Sequence, residues 1–222
     1  MNASHDLAPV IDLRAMQAKN KGYYVVQPGD TIYFVAWRLD MDYLHLIEEN
    51  HLKSPYQLQV GQQLVVAKQQ PLVTIKRPLT VPKKKSISRH NATKAIDPYA
   101  VHRWHWPTQG KIIRAFSTHN KGINIAGKKG QSIVAAANGK VVYSGEGLPG
   151  YGKLHIIKNN RKYLTIYAHN QTLLVHTGQW VKGQQSIALM GDSDANRVML
   201  HFEIRRYGKS VNPVRYLNSQ GR

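Results

Sequence analysis

The chain has 222 residues and no cysteine. That excludes disulfides, thiolate metal sites and a cysteine nucleophile. It leaves the compartment open, because an oxidising compartment does not oblige a protein to use cysteine. Acidic residues are scarce: 12 Asp and Glu stand against 31 Lys and Arg, a formal net charge of +19. Such an imbalance argues for a polyanionic partner, either nucleic acid or an anionic envelope. No apolar run reaches the roughly 18 residues of a membrane-spanning helix, so none is expected. The start, Met1-Asn2-Ala3-Ser4-His5-Asp6, shows no basic region followed by an apolar stretch, and there is no lipobox cysteine. No signal peptide is therefore expected in this sequence. What is present is 42% hydrophobic and 9% aromatic residues, enough for a packed core in one large or two small domains.

Composition divides the chain. Residues 1–21 are polar and aperiodic, and read as a flexible tail. Residues 22–67 carry a β-type run, Tyr24-Val25-Val26, then the turn Gln27-Pro28-Gly29-Asp30-Thr31 with helix N-cap candidates at its end. Ile32, Val35, Ala36 and Leu39 follow at helical spacing, Leu44, Leu46 and Ile47 mark a second helix ending near Asn50, and Leu58 to Val66 form a closing strand region. The expected order is β-α-α-β. Residues 68–104 hold Pro71, Pro78, Pro82, Pro98 and the run Lys83-Lys84-Lys85, which read as a solvated, self-repelling linker. Residues 105–222 alternate short β-type runs with glycine turns and predict a mostly β domain. The positive charge belongs to the linker and this second domain, since the first module has only Arg38 and Lys53 against five acidic residues. No nucleic-acid-binding motif accompanies that charge.

The first module closely resembles a LysM domain. The resemblance rests on Tyr24 to Ile32, continues through Ala36, Leu46, Asn50 and Leu58, and closes on Val60-Gly61-Gln62 and Leu64. It implies binding of N-acetylglucosamine-containing glycan, with peptidoglycan as the partner. The implied groove has Gly29, Asp30, Thr31 and Ile32 on one side and Lys53, Ser54, Pro55 and Tyr56 on the other. Asp30 and Thr31 serve equally well as helix caps, and Ile32 and Tyr56 as core.

The second domain resembles the LytM/M23 metallopeptidases, a mostly β, duplicated-hybrid-motif fold. The matching pieces include Trp106-Pro107, Lys121 to Ala126, Gly150-Tyr151-Gly152, Tyr167-Ala168-His169, Leu200-His201-Phe202-Glu203 and Val211-Asn212-Pro213. Active members hold zinc with a His and an Asp of a His-x-x-x-Asp stretch and the last His of His-x-His. Three ligands leave zinc an open position for an activated water. Further histidines move protons there. Here the ligand positions read Asn120 and Asn124, the first His of the pair is Met199, and only His169 and His201 remain. His119 stands one residue too early, which in extended chain turns it to the other face. No metal and no cofactor are expected.

Tyr33-Phe34-Val35-Ala36-Trp37 and the upstream Pro9-Val10-Ile11-Asp12 are similar to NlpD-type envelope proteins. That resemblance implies a non-catalytic activator of a periplasmic N-acetylmuramoyl-L-alanine amidase of the AmiC type, acting in daughter-cell separation at the septum. It also implies an outer-membrane lipid anchor in the full-length precursor. The empty groove would hold the partner through Asn120, Lys121, Asn124, His169, Arg197, Met199, His201 and Arg205, with Lys128 as a further basic rim residue. Two alternatives stay open at this point: a zinc endopeptidase with displaced ligands, and a purely structural wall-binding adaptor.

Overall fold

The computed structural model describes residues 22–66, 103–146 and 149–217. The expected tail and all but the last two residues of the expected linker lie outside them. In the first module, β1 (Tyr23–Val25) pairs antiparallel with β2 (Gln63–Val65), with Tyr24 opposite Leu64. Between them lie α1 (Ile32–Arg38) and α2 (Tyr43–Glu49). Thr31 caps α1 by accepting from the Phe34 amide, and Asp42 caps α2 by accepting from the Leu44 amide. Asp30 instead closes the preceding turn, accepting from the Gln27 amide and the Tyr24 hydroxyl, each at 2.7 Å. Asn50 ends α2 and ties it to β2: its side chain donates to Leu46 O and Val65 O and accepts from Val65 N.

The second domain is built from β3 (Ile112–Arg114), β4 (Ile123–Ala126), β5 (Ser132–Val134), β6 (Gly139–Glu146), β7 (Lys153–Lys158), β8 (Tyr163–Leu173), β9 (Trp180–Val181), β10 (Ser186–Met190), β11 (Met199–Arg206), β12 (Lys209–Val211) and the short α3 (Val214–Leu217). The main path across the sheet runs β3-β4-β11-β8-β7-β6-β9. Off it, β10 pairs with β5 and β8, and β12 with β11.

Strand alternation gives this sheet two buried faces. On one, Ile157, Tyr167, Phe202 and Ile204 pack with Ile133, Ile187 and Leu217. Trp104, placed by composition at the end of the linker, belongs to this core, its ring edge-on to Tyr163 and Tyr216. On the other face, Leu154, Ile156, Leu164, Ile166 and Ala168 join Phe34, Trp37 and Tyr43 of the first module in one continuous apolar cluster. The module therefore sits on the sheet rather than apart from it. Phe34 stacks on Tyr143 at 4.2 Å, and Trp37 meets Tyr151 edge-on at 4.9 Å.

Polar contacts fix the seating. The Trp37 indole donates to Glu203 at 3.2 Å. Arg205 donates from Nε to Glu203 (2.9 Å), and from Nη1 to Asp40 (2.9 Å) and the Trp37 carbonyl (3.1 Å). The turn after β11 reaches Met41 through Gly208, at φ +73°, where a Cβ would collide with the Met41 carbonyl.

Candidate functional site

Two cavities among the described residues bear on function. The first, of about 460 Å³, opens where β4 and β11 meet, bounded by Asn120, Lys121, Asn124, Tyr151, His169, Met199 and His201. Antiparallel pairing puts His201 opposite Asn124 and Met199 opposite Ala126, which aims the odd-numbered side chains of β11 and Asn124 at the same space. Asn120 ends a turn closed by the Ser117–Asn120 bridge. Its amide nitrogen is spent on two backbone carbonyls, Ala115 O and Gly122 O, both at 2.9 Å. His119, expected on the other face, in fact borders the cleft: it lies within that turn, exposed and bonded to Thr118, where strand alternation does not govern its direction.

The hydrogen bonds test whether these residues suit zinc. His201 Nδ1 lies 2.7 Å from Asn124 Oδ1, and His201 Nε2 lies 3.2 Å from Glu203 Oε1. Both ring nitrogens are thus committed. Two donors sharing a tetrahedral zinc at ~2.0–2.1 Å stand about 3.3 Å apart, so the His201–Asn124 pair occupies the geometry of a hydrogen bond, not of two ligands. Asn124 Nδ2 turns to the Met199 sulfur at 3.4 Å. Among the described residues no group of three His, Cys, Asp or Glu is placed to hold a metal ion. Neutral amides and a thioether are poor partners for zinc beside one imidazole, and the site does not fit the ion.

Electrostatics follow from burial. His169, 5% exposed, contributes Nδ1 to Ser193 O at 3.0 Å. Burial first, and His201 second, push its pKa down to about 4, so it is neutral near pH 7. Glu203 is fully buried, which alone would raise its pKa, but Arg205 and then His201 overcome this and hold it at about 2. Burial and the Glu203 carboxylate raise the Tyr151 phenol, which donates to Glu203 at 3.2 Å.

Not every expected residue lines this cleft. Asn120, Lys121, Asn124, His169, Met199 and His201 do. Arg197 is exposed on the loop before β11 and does not border it; Lys128 lies in an exposed turn elsewhere. Arg205 is a correction: it is 4% exposed and locked into Glu203, Asp40 and Trp37 at the interface with the first module. Tyr151 and Asp194 border the cleft without having been assigned to it; Asp194 accepts from the Gly150 amide. The Gly150-Tyr151-Gly152 and Gly191-Asp192-Ser193-Asp194 turns were their visible signal. His155 is buried against Ile187 O, as a packing residue should be.

The second cavity, about 590 Å³, lies between the module and the sheet. Asp30, Thr31, Ile32, Ser54, Pro55 and Tyr56 form one wall; Gly29 and Lys53 are exposed outside it. The opposite wall comes from the second domain: Lys140, Val141, Val142, Lys158, Thr177 and Gly178.

Comparison with known proteins agrees with this architecture. Residues 24–67 match the LysM domain, and residues 118–213 match Peptidase family M23. A Pseudomonas aeruginosa protein named lipoprotein NlpD/LppB homolog is 42% identical, covering 88% of this chain and 77% of its own length. The murein hydrolase activator NlpD of Escherichia coli is 37% identical, covering 87% of this chain and 67% of its own. Among solved structures, the antimicrobial peptidase lysostaphin from Staphylococcus simulans superposes with a TM-score of 0.50 at 21% identity, over 55% of this chain and 56% of that one, a likeness of fold.

Proposed function

Because the chain belongs to the NlpD-type family of murein hydrolase activators, we propose that it binds peptidoglycan through the LysM groove and uses its M23-type cleft as a docking surface. The partner is an N-acetylmuramoyl-L-alanine amidase of the cell envelope, of the AmiC type, switched on in the periplasm at the division septum. The full-length precursor carries a lipid anchor to the outer membrane. One observation carries the reading most directly: the cleft is open, yet both nitrogens of His201 are tied to Asn124 and Glu203. A peptidase would need that imidazole for metal; a docking surface needs it only to hold shape. The cleft offers Asn, Met and His side chains with Lys121 at its edge, suited to a helix bearing acidic and apolar residues. Activation then requires that the cleft bind the open form of the amidase more tightly than the closed form.

The test is release of soluble fragments from labelled murein by the host's amidase, with and without this chain. Stimulation by wild type and its loss in Met199→Glu, with the fold intact by circular dichroism, is the expected pattern. Murein peptide cleavage by the chain alone, with stoichiometric zinc by metal analysis, would reverse the reading. Wall binding without stimulation would make the protein an adaptor only.

A further inference from the structure

The second cavity has a feature that a neutral sugar does not explain. Lys140 on β6 and Lys158 on β7 stand directly opposite each other in the antiparallel register. Like charges in that position repel and weaken a sheet. Among the described residues, no carboxylate forms an ion pair with either lysine. Asp30 lines the same cavity, but its Oδ2 already accepts from Tyr24 and Gln27. Lys158 is half-buried, its ammonium 5.3 Å and 5.2 Å from the ring centres of Tyr33 and Tyr43, and it donates to the Tyr33 hydroxyl at 3.3 Å. Burial, then Arg161 and Lys140, lower its pKa. Two cations thus stand opposite each other beside a sugar-sized groove, and among the described residues neither has a carboxylate paired to it.

The same row continues one strand further. Lys140 pairs with Trp180 of β9, which is 48% exposed. Directly opposed residues share a face, so Lys158, Lys140 and Trp180 form a line leading out of the LysM groove across the second domain. Paired cations beside such a groove suit a sugar that carries an acid, which meets the ammonium groups.

We propose that the LysM groove and this row form one composite site, in which Lys140 and Lys158 bind the free lactyl carboxylate of a peptide-free N-acetylglucosamine–N-acetylmuramic acid strand. The inference rests on the glycan-binding reading of the LysM module. A chain of N-acetylglucosamine alone is uncharged and has no use for the lysines. In a strand that keeps its stem peptides, the lactyl carboxyl is consumed in an amide, and the remaining acids lie further along the peptide. Only loss of the peptide puts an anion a few bonds from the ring. An amidase makes that product, by hydrolysing the bond between the lactyl carbonyl and the first stem residue. The site therefore holds strands the partner enzyme has already processed.

Calorimetric titration of the full chain with three tetrasaccharides tests this: a peptide-free murein strand, the same strand with its stem peptides, and chitotetraose. Wild type is expected to bind the peptide-free strand about tenfold tighter than chitotetraose, the worth of one charge-assisted contact. Lys140→Gln with Lys158→Gln should erase that preference, so that the peptide-free strand and chitotetraose bind the variant with equal affinity. Lys140→Gln alone, at an exposed position, should erase part of it, and Lys158→Arg should retain it. A wild type that does not distinguish the peptide-free strand from chitotetraose, a preference that survives the double substitution, or equal affinity for the stem-bearing strand would each overturn the proposal. If wild type binds none of the three, the LysM glycan reading fails along with it. Binding of chitotetraose without preference leaves that reading standing and removes only the composite site.

Discussion

Replacing Arg205 with methionine removes a cation from the interface while filling most of its volume. The side chain is 5% exposed, and its Nε and Nη1 donate to Glu203, Asp40, the Trp37 carbonyl and the Gly208 carbonyl. Glu203, with 0% side-chain exposure, would keep Trp37, Tyr151 and His201 as donors but lose its only guanidinium. Removing one member of a buried pair costs about 3–5 kcal/mol, because the other charge is left uncompensated. Asp40 is 38% exposed, so Asp40→Ala should cost less than about 1 kcal/mol. The Glu203 carboxyl, held at about 2 against an ordinary 4.5, contributes stability above pH 4.5 that is lost as pH falls toward 2. Without Arg205, burial raises that carboxyl, so the folded variant takes up its proton more readily than the unfolded chain and the penalty of Arg205→Met shrinks as pH falls. Urea unfolding of the full chain, followed by tryptophan fluorescence at pH 7 and pH 5, measures all of this. If Arg205→Met lies within about 1 kcal/mol of wild type, or Asp40→Ala costs as much, the buried-pair argument is wrong.

His169 and His155 are each lowered to about 4 by burial, so the unfolded chain takes up their protons first. Stability should be intact above pH 6.5 and fall by up to about 3 kcal/mol per histidine as pH drops toward 4, and a melting temperature flat across that window would refute this. Gly208→Ala should destabilise by at least about 1 kcal/mol and loosen the module from the sheet, seen as earlier proteolytic release of the LysM unit. Asn50→Ala removes three hydrogen bonds, two to Val65 of β2 and one to Leu46 of α2, and should cost about 2–3 kcal/mol in thermal unfolding. The triple change Asn120→His, Asn124→Asp, Met199→His should gain stoichiometric zinc after dialysis; failure to do so would mean the cleft backbone, not only its side chains, has left metal geometry.

The LysM module was legible because its signals are local. A Gly-Asp-Thr turn, a capped helix and a Val-Gly-Gln return each specify structure within a few residues. The cleft was legible through the resemblance to M23 peptidases, which aligns Asn120, Asn124, Met199 and His201 with the positions of a zinc centre. Arg205 was misplaced as a groove residue. Residues 199, 201, 203 and 205 lie on one side of β11, and nothing in the sequence says that a second unit covers the far half of the strand. Phe34 and Trp37 hid that fact too, because an aromatic at a helical core spacing satisfies the module's own packing before it advertises an outside partner. Lys140 and Lys158 drew no notice, for their pairing exists only in the register of β6 with β7.

One eight-residue strand, β11, borders the cleft at its start and anchors the LysM unit at its end. The lysine row lies two and three strands away, on the order of 10–15 Å at the usual inter-strand spacing. On the proposed reading the molecule would work as a gauge block. A wall strand gripped on one side and an enzyme seated on the other would be held at a set offset that neither could adjust. Reach along the murein would come from whatever tethers the whole body, not from play between its halves.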